Sequence, residues 1–300
     1  MVKVSIIGAG NLGAQIAYDI ANRNFVDELV LIDILADLAK GQAQDIAQSL
    51  PFRSKTNVTC GDYSSLQESD VIVITAGKPR TPQMKDRLEL AQINLAIMKS
   101  IISQIKEFVP SAILIVLTNP MDLITHYIYK AGFSKNKVIG SGGQLDSSRL
   151  RVVLGHPTTK VEAFVLGEHG ENQVPIFSNI LIDGKKREYT NDEQEEIKEK
   201  IRKSALSVIE KKGATVFAPA SNTTDLVEAI VKNQKKMMVC SVNLEGEYGI
   251  SNVSLGVPVI LGKDGIEKVE VWKLLEQELA QLHQAAQKLK SFYEQASALL

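Results

Sequence analysis

The stretch "VKVSIIGAGNLG", residues 2–13, constrains the fold more than any other part of the chain. An apolar run leads directly into Gly8, Gly10 and Gly13, and a helix-compatible segment follows. Such a run reads as a buried strand. The glycines suit a tight turn, a close approach of backbone to phosphate, and close packing of helix on strand. The helix N-terminus then leaves N–H groups free for an anion. The glycine pattern alone is weak, but Asp33 ends a second apolar run, "ELVLID", 20 residues past Gly13. A carboxylate there accepts hydrogen bonds from both adenosine ribose hydroxyls and repels a 2′-phosphate, so NAD is expected rather than NADP. Ile34, not a basic residue, comes next.

The first half goes on alternating. A helix is expected from about Asn11 to Asn22, and another over "LADLAKGQAQDIAQSL". "NVTCG", "DVIVITAG", "SAILIVLTN" and "KVIG" read as strands. Ile93, Ile97, Ile101, Ile105 and Phe108 fall at helical spacing, and a further helix runs to about Lys130. This order predicts a parallel, doubly wound sheet with helices on both faces. The second half reads differently. "KVEAFVLG" and "VPIFSNILIDG" look like antiparallel strands, and a charged helix is expected from about Asn191 to Lys212, capped by Gly213. "VSLGVPVILGKDGIEKV" reads as a hairpin, and a long helix is expected from about Trp272. The expected class is α/β: an N-terminal Rossmann-type domain over 1–141 and a C-terminal α+β substrate domain over 142–300, divided near "GSGG" at Gly140–Gly143.

Charge excludes some partners. Thirty-four basic and 35 acidic residues leave a net charge of -1, which argues against nucleic acid or an anionic membrane surface. No apolar stretch reaches the roughly 18 residues of a membrane span. Cys60 and Cys240 are far apart and form neither a metal-spaced motif nor a disulfide framework, so no metal is expected and a cytoplasmic, reducing location is.

Five motifs occur in order: "GAGNLG", "TAGKPR", "TNPMD", "GGQLDSSRLR" and "GEHG". Together they resemble the NAD-dependent lactate/malate dehydrogenase family over nearly the whole length, most of all its lactate-dehydrogenase-like malate dehydrogenases. The resemblance implies hydride exchange between NAD and a small 2-hydroxy acid. (S)-Malate and oxaloacetate are favoured, with L-lactate or another 2-hydroxy acid as the alternative. It also implies a homo-oligomer, with a tetramer favoured over a dimer.

The residues suit this chemistry. Oxidising a 2-hydroxy acid needs a base for the hydroxyl proton and a clamp for the carboxylate. His169, one of four histidines, can exchange protons near neutrality. The resemblance assigns Asp146 as the carboxylate that fixes its tautomer. Arg149 follows three residues later on the same helical face, and its planar fork suits the C1 carboxylate. Asn119 ends an apolar strand before Pro120; its amide suits a substrate oxygen or the nicotinamide ribose, and the family implies a cis bond. The basic loop "GKPRTPQMKDR" resembles the family's closing lid. Arg87 matches the arginine that polarises the substrate carbonyl, and Arg80 the position that selects the substrate. Seven positions separate the two, one more than is usual, so malate and lactate both stay open. Thr215 matches a residue lining the substrate pocket. Asn11, Leu12, Thr75, Ala76, Gly77, Asn94 and Asn119 match cofactor-lining positions. Glu168, beside His169, could be read as a rival base, but it is expected to face away and to be structural or interfacial.

Two other classes fit poorly. An NAD-dependent glycoside hydrolase would need a metal held by Cys and His, and neither cysteine sits in such a cluster. A non-catalytic NAD-binding module would have no need of Arg87, Asp146, Arg149 and His169 together.

Overall fold

The computed structural model describes residues 1–79, 87–155 and 160–298. The first half alternates as its periodicity requires. Strand β1 (Lys3–Ile7) leads to helix α1 (Asn11–Arg23), then β2 (Glu28–Ile32), α2 (Ala36–Ser49), β3 (Asn57–Cys60) and β4 (Val71–Ile74). Helix α3 (Arg87–Phe108), β5 (Ile113–Val116), α4 (Met121–Lys130), β6 (Val138–Gly140) and α5 (Gly143–Val153) follow. The six strands pair in parallel in the order β3-β2-β1-β4-β5-β6. The order reverses beside β1, and ligands of such sheets bind at the carboxyl ends of the strands at this switch point.

Strand alternation builds two cores. Val4, Ile6, Leu29, Leu31, Val71 and Val73 face one side with Ile16, Ala17 and Ile20 of α1. Ile7, Val30, Ile32, Ile72 and Ile74 face the other with Leu95, Met98 and Ile102 of α3. Because both faces are covered, the strands read as continuous apolar runs.

The second half supplies β7 (Val161–Glu162), β8 (Val165–Gly167), β9 (Gln173–Pro175), β10 (Leu181–Ile182), β11 (Lys185–Lys186), α6 (Asn191–Lys212) and α7 (Phe217–Val231). It ends with β12 (Lys236–Glu245), β13 (Ser251–Gly262), β14 (Gly265–Val269) and α8 (Glu276–Ser297). Three sequence expectations change here. "KVEAFVLG" is not one strand: β7 joins a small antiparallel sheet with β10 and β11, while β8 pairs with β9 and β13 in the large one. "VPIFSNILIDG" breaks at a helical turn, Phe177–Asn179, where Ser178 donates its N–H and hydroxyl to Glu278 at 3.0 and 2.7 Å. The last helix begins at Glu276 rather than Trp272. Trp272 is held outside it by its N–H bond to Tyr248 Oη (3.0 Å) and its edge contact with Phe164 (5.1 Å).

The sheet does not stop where the cofactor half ends. Strand β12 pairs antiparallel with β6 through Ser241 and Gly140, and continues into β13 and β8. A Cβ on Gly140 would lie 2.2 Å from Met121 Sδ and 2.7 Å from Ser241 Cβ, so this junction requires a residue without a side chain. It brings α4, α5 and the β8–β9 turn together: Asp146 and Arg149 lie on α5 and His169 in that turn, while Arg87 opens α3.

Candidate active site

The cofactor end follows from the β1–α1 turn. Gly8 adopts φ +105°, and a Cβ there would meet Ala76 N at 2.5 Å. A Cβ on Gly13 would lie 1.8 Å from Gly8 O, so the helix can start this close to the strand only with glycine. Around the Cβ position of Gly10 there is open space. Gly10 is the N-cap of α1, no side chain caps it, and the first turn carries no acid. The N–H groups of Asn11, Leu12 and Gly13 therefore face an open anion-receptive end. Asp33 accepts from Ala9 N (2.6 Å) and Leu35 N (2.9 Å), which ties the glycine turn to the end of β2. Each oxygen keeps a second lone pair for a ribose hydroxyl. The residues fit a dinucleotide.

Thr75, Ala76 and Gly77 follow β4 on the same edge of the sheet. Thr75 Oγ1 donates to Gly8 O (2.8 Å), and Ala76 O accepts from Thr118 Oγ1 (2.7 Å). Asn119 is exposed just beyond β5, and its bond to Pro120 is cis. Asn94 behaves differently from its expected cofactor contact. It is fully buried, its Oδ1 accepts from Lys78 N (2.7 Å), and its Nδ2 donates to Asn119 O (2.6 Å) and Lys78 O (3.1 Å). It ties the segments at Lys78 and Asn119 together.

The proton-transfer end centres on His169, in the turn after β8. His169 Nδ1 lies 2.7 Å from Asp146 Oδ2, and Arg149 Nη1 donates to Asp146 Oδ1 at 2.9 Å. Asp146 and Arg149 lie one turn apart on α5, so a single buried carboxylate orders the imidazole and the guanidinium together. The side chains of His169 and Arg149 stay 17% and 15% exposed against 2% for Asp146, so the outer two can meet a ligand. Burial alone would lower the His169 pKa. The Asp146 charge and hydrogen bond, aided by Asp122, outweigh burial and raise it. A Cβ on Gly142 would stand 2.7 Å from His169 Cβ, so the Gly142 backbone forms the floor of the site.

Arg87 opens α3, and its Nη2 donates to Glu168 Oε1 at 3.0 Å. Glu168 has the structural role expected of it, although it turns towards Arg87: its side chain is buried, and its other oxygen accepts from Asn172. It serves as the counter-ion of Arg87 and not as a second base. Thr215 sits half-buried in the turn between α6 and α7. Arg80 lies outside the described residues.

Asp122 escaped the sequence reading. It stands second in α4, is 3% exposed, and its Oδ2 accepts the His169 backbone N–H at 2.7 Å. The available signal was the acid closing "TNPMD" in the first turn of a helix.

A strand–glycine turn–helix with an acid on the next strand, joined to a His–Asp–Arg centre, defines a dinucleotide-dependent oxidoreductase acting on a carboxylate-bearing substrate. Residues 2–140 match the NAD binding domain of lactate/malate dehydrogenases, and residues 143–300 match their alpha/beta C-terminal domain. The chain belongs to the lactate/malate dehydrogenase family. It is 43% identical to a malate dehydrogenase of Halobacterium salinarum over 303 residues, 98% of this chain and 99% of that one. The structure of the Picrophilus torridus malate dehydrogenase in its apo form matches with TM-score 0.93 at 33% identity, over 99% of this chain and 98% of that one. A Cryptosporidium parvum lactate dehydrogenase complexed with lactic acid and β-nicotinamide adenine dinucleotide matches with TM-score 0.93 at 31% identity, over the same shares.

Proposed function

We propose that the protein is an NAD-dependent malate dehydrogenase that interconverts (S)-malate and oxaloacetate. The observation that carries this reading is the His169–Asp146–Arg149 chain of contacts, with bonds of 2.7 and 2.9 Å. The malate dehydrogenase of Halobacterium salinarum, 43% identical over nearly all of both chains, supports the choice of substrate.

In this reading Gly8, Gly10, Asn11, Leu12 and Gly13 hold the pyrophosphate and Asp33 the adenosine ribose. Thr75–Gly77 and Asn119 line the nicotinamide side. Bound NAD supplies the hydride acceptor. Arg149 binds the C1 carboxylate. Nδ1 of His169 is committed to Asp146, which leaves Nε2 to take the C2 hydroxyl proton. Asp146 stabilises the imidazolium that results. Arg87 leaves Glu168 to polarise the carbonyl, and Arg80 pairs the distal carboxylate. Thr215 closes the pocket wall.

The same proposal divides the chain into a cofactor domain, 1–141, and a substrate domain, 142–300. It includes a role in the tricarboxylic acid cycle, a cytoplasmic location and a homotetramer. The free thiols of Cys60 and Cys240 support the location. No described helix is long and apolar enough to cross a membrane.

His169→Asn tests the proton-transfer role. Turnover is expected to fall by about 10²–10⁴-fold, as for loss of a general base. NADH binding, read by quenching of protein fluorescence, should persist. Activity within tenfold of the parent would remove His169 from the reaction.

A further inference from the structure

Asp122 has no place in the scheme above, yet it lies against its central residue. It is buried in the first turn of α4, with Oδ2 on the His169 N–H at 2.7 Å and Oδ1 without a hydrogen-bond partner. The Ser241 hydroxyl, also buried, faces it from β12 and favours its charged form, although no Ser241 bond meets hydrogen-bond geometry. The helix N-terminus favours a negative charge at this place. A carboxylate serving only as a buried cap would have its second oxygen satisfied, because leaving it open is costly.

We propose that Asp122 is a positioning residue for the reaction: it fixes the His169 backbone and supplies, beside Asp146, a second negative charge felt by the imidazole. This rests on the reading of His169 as the proton-transfer group. Two carboxylates from two helices then share one histidine, with different tasks. Asp146 sits on the ring nitrogen and sets the tautomer. Asp122 grips the main chain and acts on the ring only through its field. Burial pushes its own pKa up to about 7, so its charge rises and falls near neutrality and couples to that of His169.

The surrounding groups define the expected pH behaviour. Asp146 and Arg149 face His169 from α5, and Arg149 opposes its protonation. Glu168 disfavours the Asp122 charge, and Glu168 is itself paired with Arg87 of α3. From α8, Lys288 reaches Asn172 and not the imidazole. Strand β13 carries no charged side chain, and those of β12 lie only at its ends, Lys236 and Glu245.

Asp122→Asn tests the proposal because the amide oxygen can still accept the His169 N–H while the charge is gone. Carbon-13-labelled histidine in the full chain gives the His169 pKa by NMR, assigned by the signal that His169→Asn removes. A fall of about 0.5–1.5 pH units is expected, the scale of one partly screened charge. In steady-state assays both the acid limb of malate oxidation and the alkaline limb of oxaloacetate reduction should move down by a similar amount. A purely structural role would lower the rate and leave the His169 pKa and both limbs in place, which would overturn the proposal. If Asp122→Asn does not fold, Ser241→Ala replaces it. Losing the hydroxyl makes Asp122 less charged, so a smaller shift in the same direction is expected, and no shift overturns the proposal. The NMR titration needs no turnover. A wild-type protein inactive on malate would refute the proposed substrate while the Asp122 question is still answered.

Discussion

Asp146→Asn removes one charge and one hydrogen-bond acceptor from the centre of the site. The side chain keeps its volume, but its single amide oxygen can accept from only one of the two donors that Asp146 serves, His169 Nδ1 at 2.7 Å and Arg149 at 2.9 Å; an NH2 replaces the other acceptor. Two unit charges about 4 Å apart, in surroundings of effective dielectric near 20, interact by about 4 kcal/mol. At about 1.4 kcal/mol per pH unit that sets an upper bound of about three units on the fall in the His169 pKa. Arg149 also loses its partner and presses on the imidazole with an uncompensated positive charge, in the same direction. Reduction of oxaloacetate consumes protonated His169, so its alkaline limb should move down by about 2–3 units. At neutral pH the reductive kcat/KM should fall by about 10²–10³-fold. Oxidation of malate starts from neutral His169 and should lose less at acid pH than at alkaline pH. The assay is NADH absorbance in both directions over a pH series, with NADH binding and thermal unfolding as controls. Equal losses in both directions with unmoved limbs would refute the electrostatic role of Asp146.

The glycines of the first turn separate stability from binding. Gly13→Ala should cost about 1–3 kcal/mol or more in chemical denaturation, because its Cβ meets a backbone carbonyl at 1.8 Å. Gly10→Ala should change stability by no more than about 0.5 kcal/mol yet weaken NADH binding, since its Cβ points into the open space the pyrophosphate needs. Equal effects of the two would contradict the packing described. His126 predicts acid sensitivity. It is buried, burial lowers its pKa from 6.5 to about 4, and Asn243 Oδ1 lies 3.1 Å from its Nδ1. Its neutral form is the one the fold accepts, so its contribution is present above pH 6.5 and lost as pH falls towards about 4, a change of about 3 kcal/mol. Urea titrations across that window should show the slope, and His126→Asn should flatten it.

Part of this site was legible because its residues obey local rules, while the pairing of His169 with Asp146 and the roles of Arg87, Arg80 and Thr215 came from the resemblance of the motifs. The turn from β1 to α1 follows from glycine spacing, and the Asp146–Arg149 pair from helical periodicity. The elements that went unread are those whose pattern is set by distant partners. Strand β12, "KMMVCSVNLE", is buried along most of its length on both faces, so it shows no alternation, and it forms only because β6 and β13 flank it. Helix α7 buries Pro219, Ala220, Thr223, Thr224, Leu226 and Val227 against α1 and α5, and its small polar residues mask the apolar stripe. The partner of Glu168 and the role of Asp122 went unread for a related reason. Their roles depend on Arg87, 81 positions away, and on His169, 47 positions away, and no local signal encodes such pairings.

The reaction proposed for the chain moves a hydride between NAD and a dicarboxylic 2-hydroxy acid. The direct measurement is NADH oxidation with oxaloacetate and with pyruvate, compared as kcat/KM under identical conditions. If Arg80 takes the proposed role, pyruvate would leave its charge without a partner, at a cost of about 3–5 kcal/mol. A preference for oxaloacetate on the order of a thousand-fold is therefore expected. Comparable rates, or a preference for pyruvate, would contradict it and make the protein a lactate-type dehydrogenase with the same proton-transfer centre.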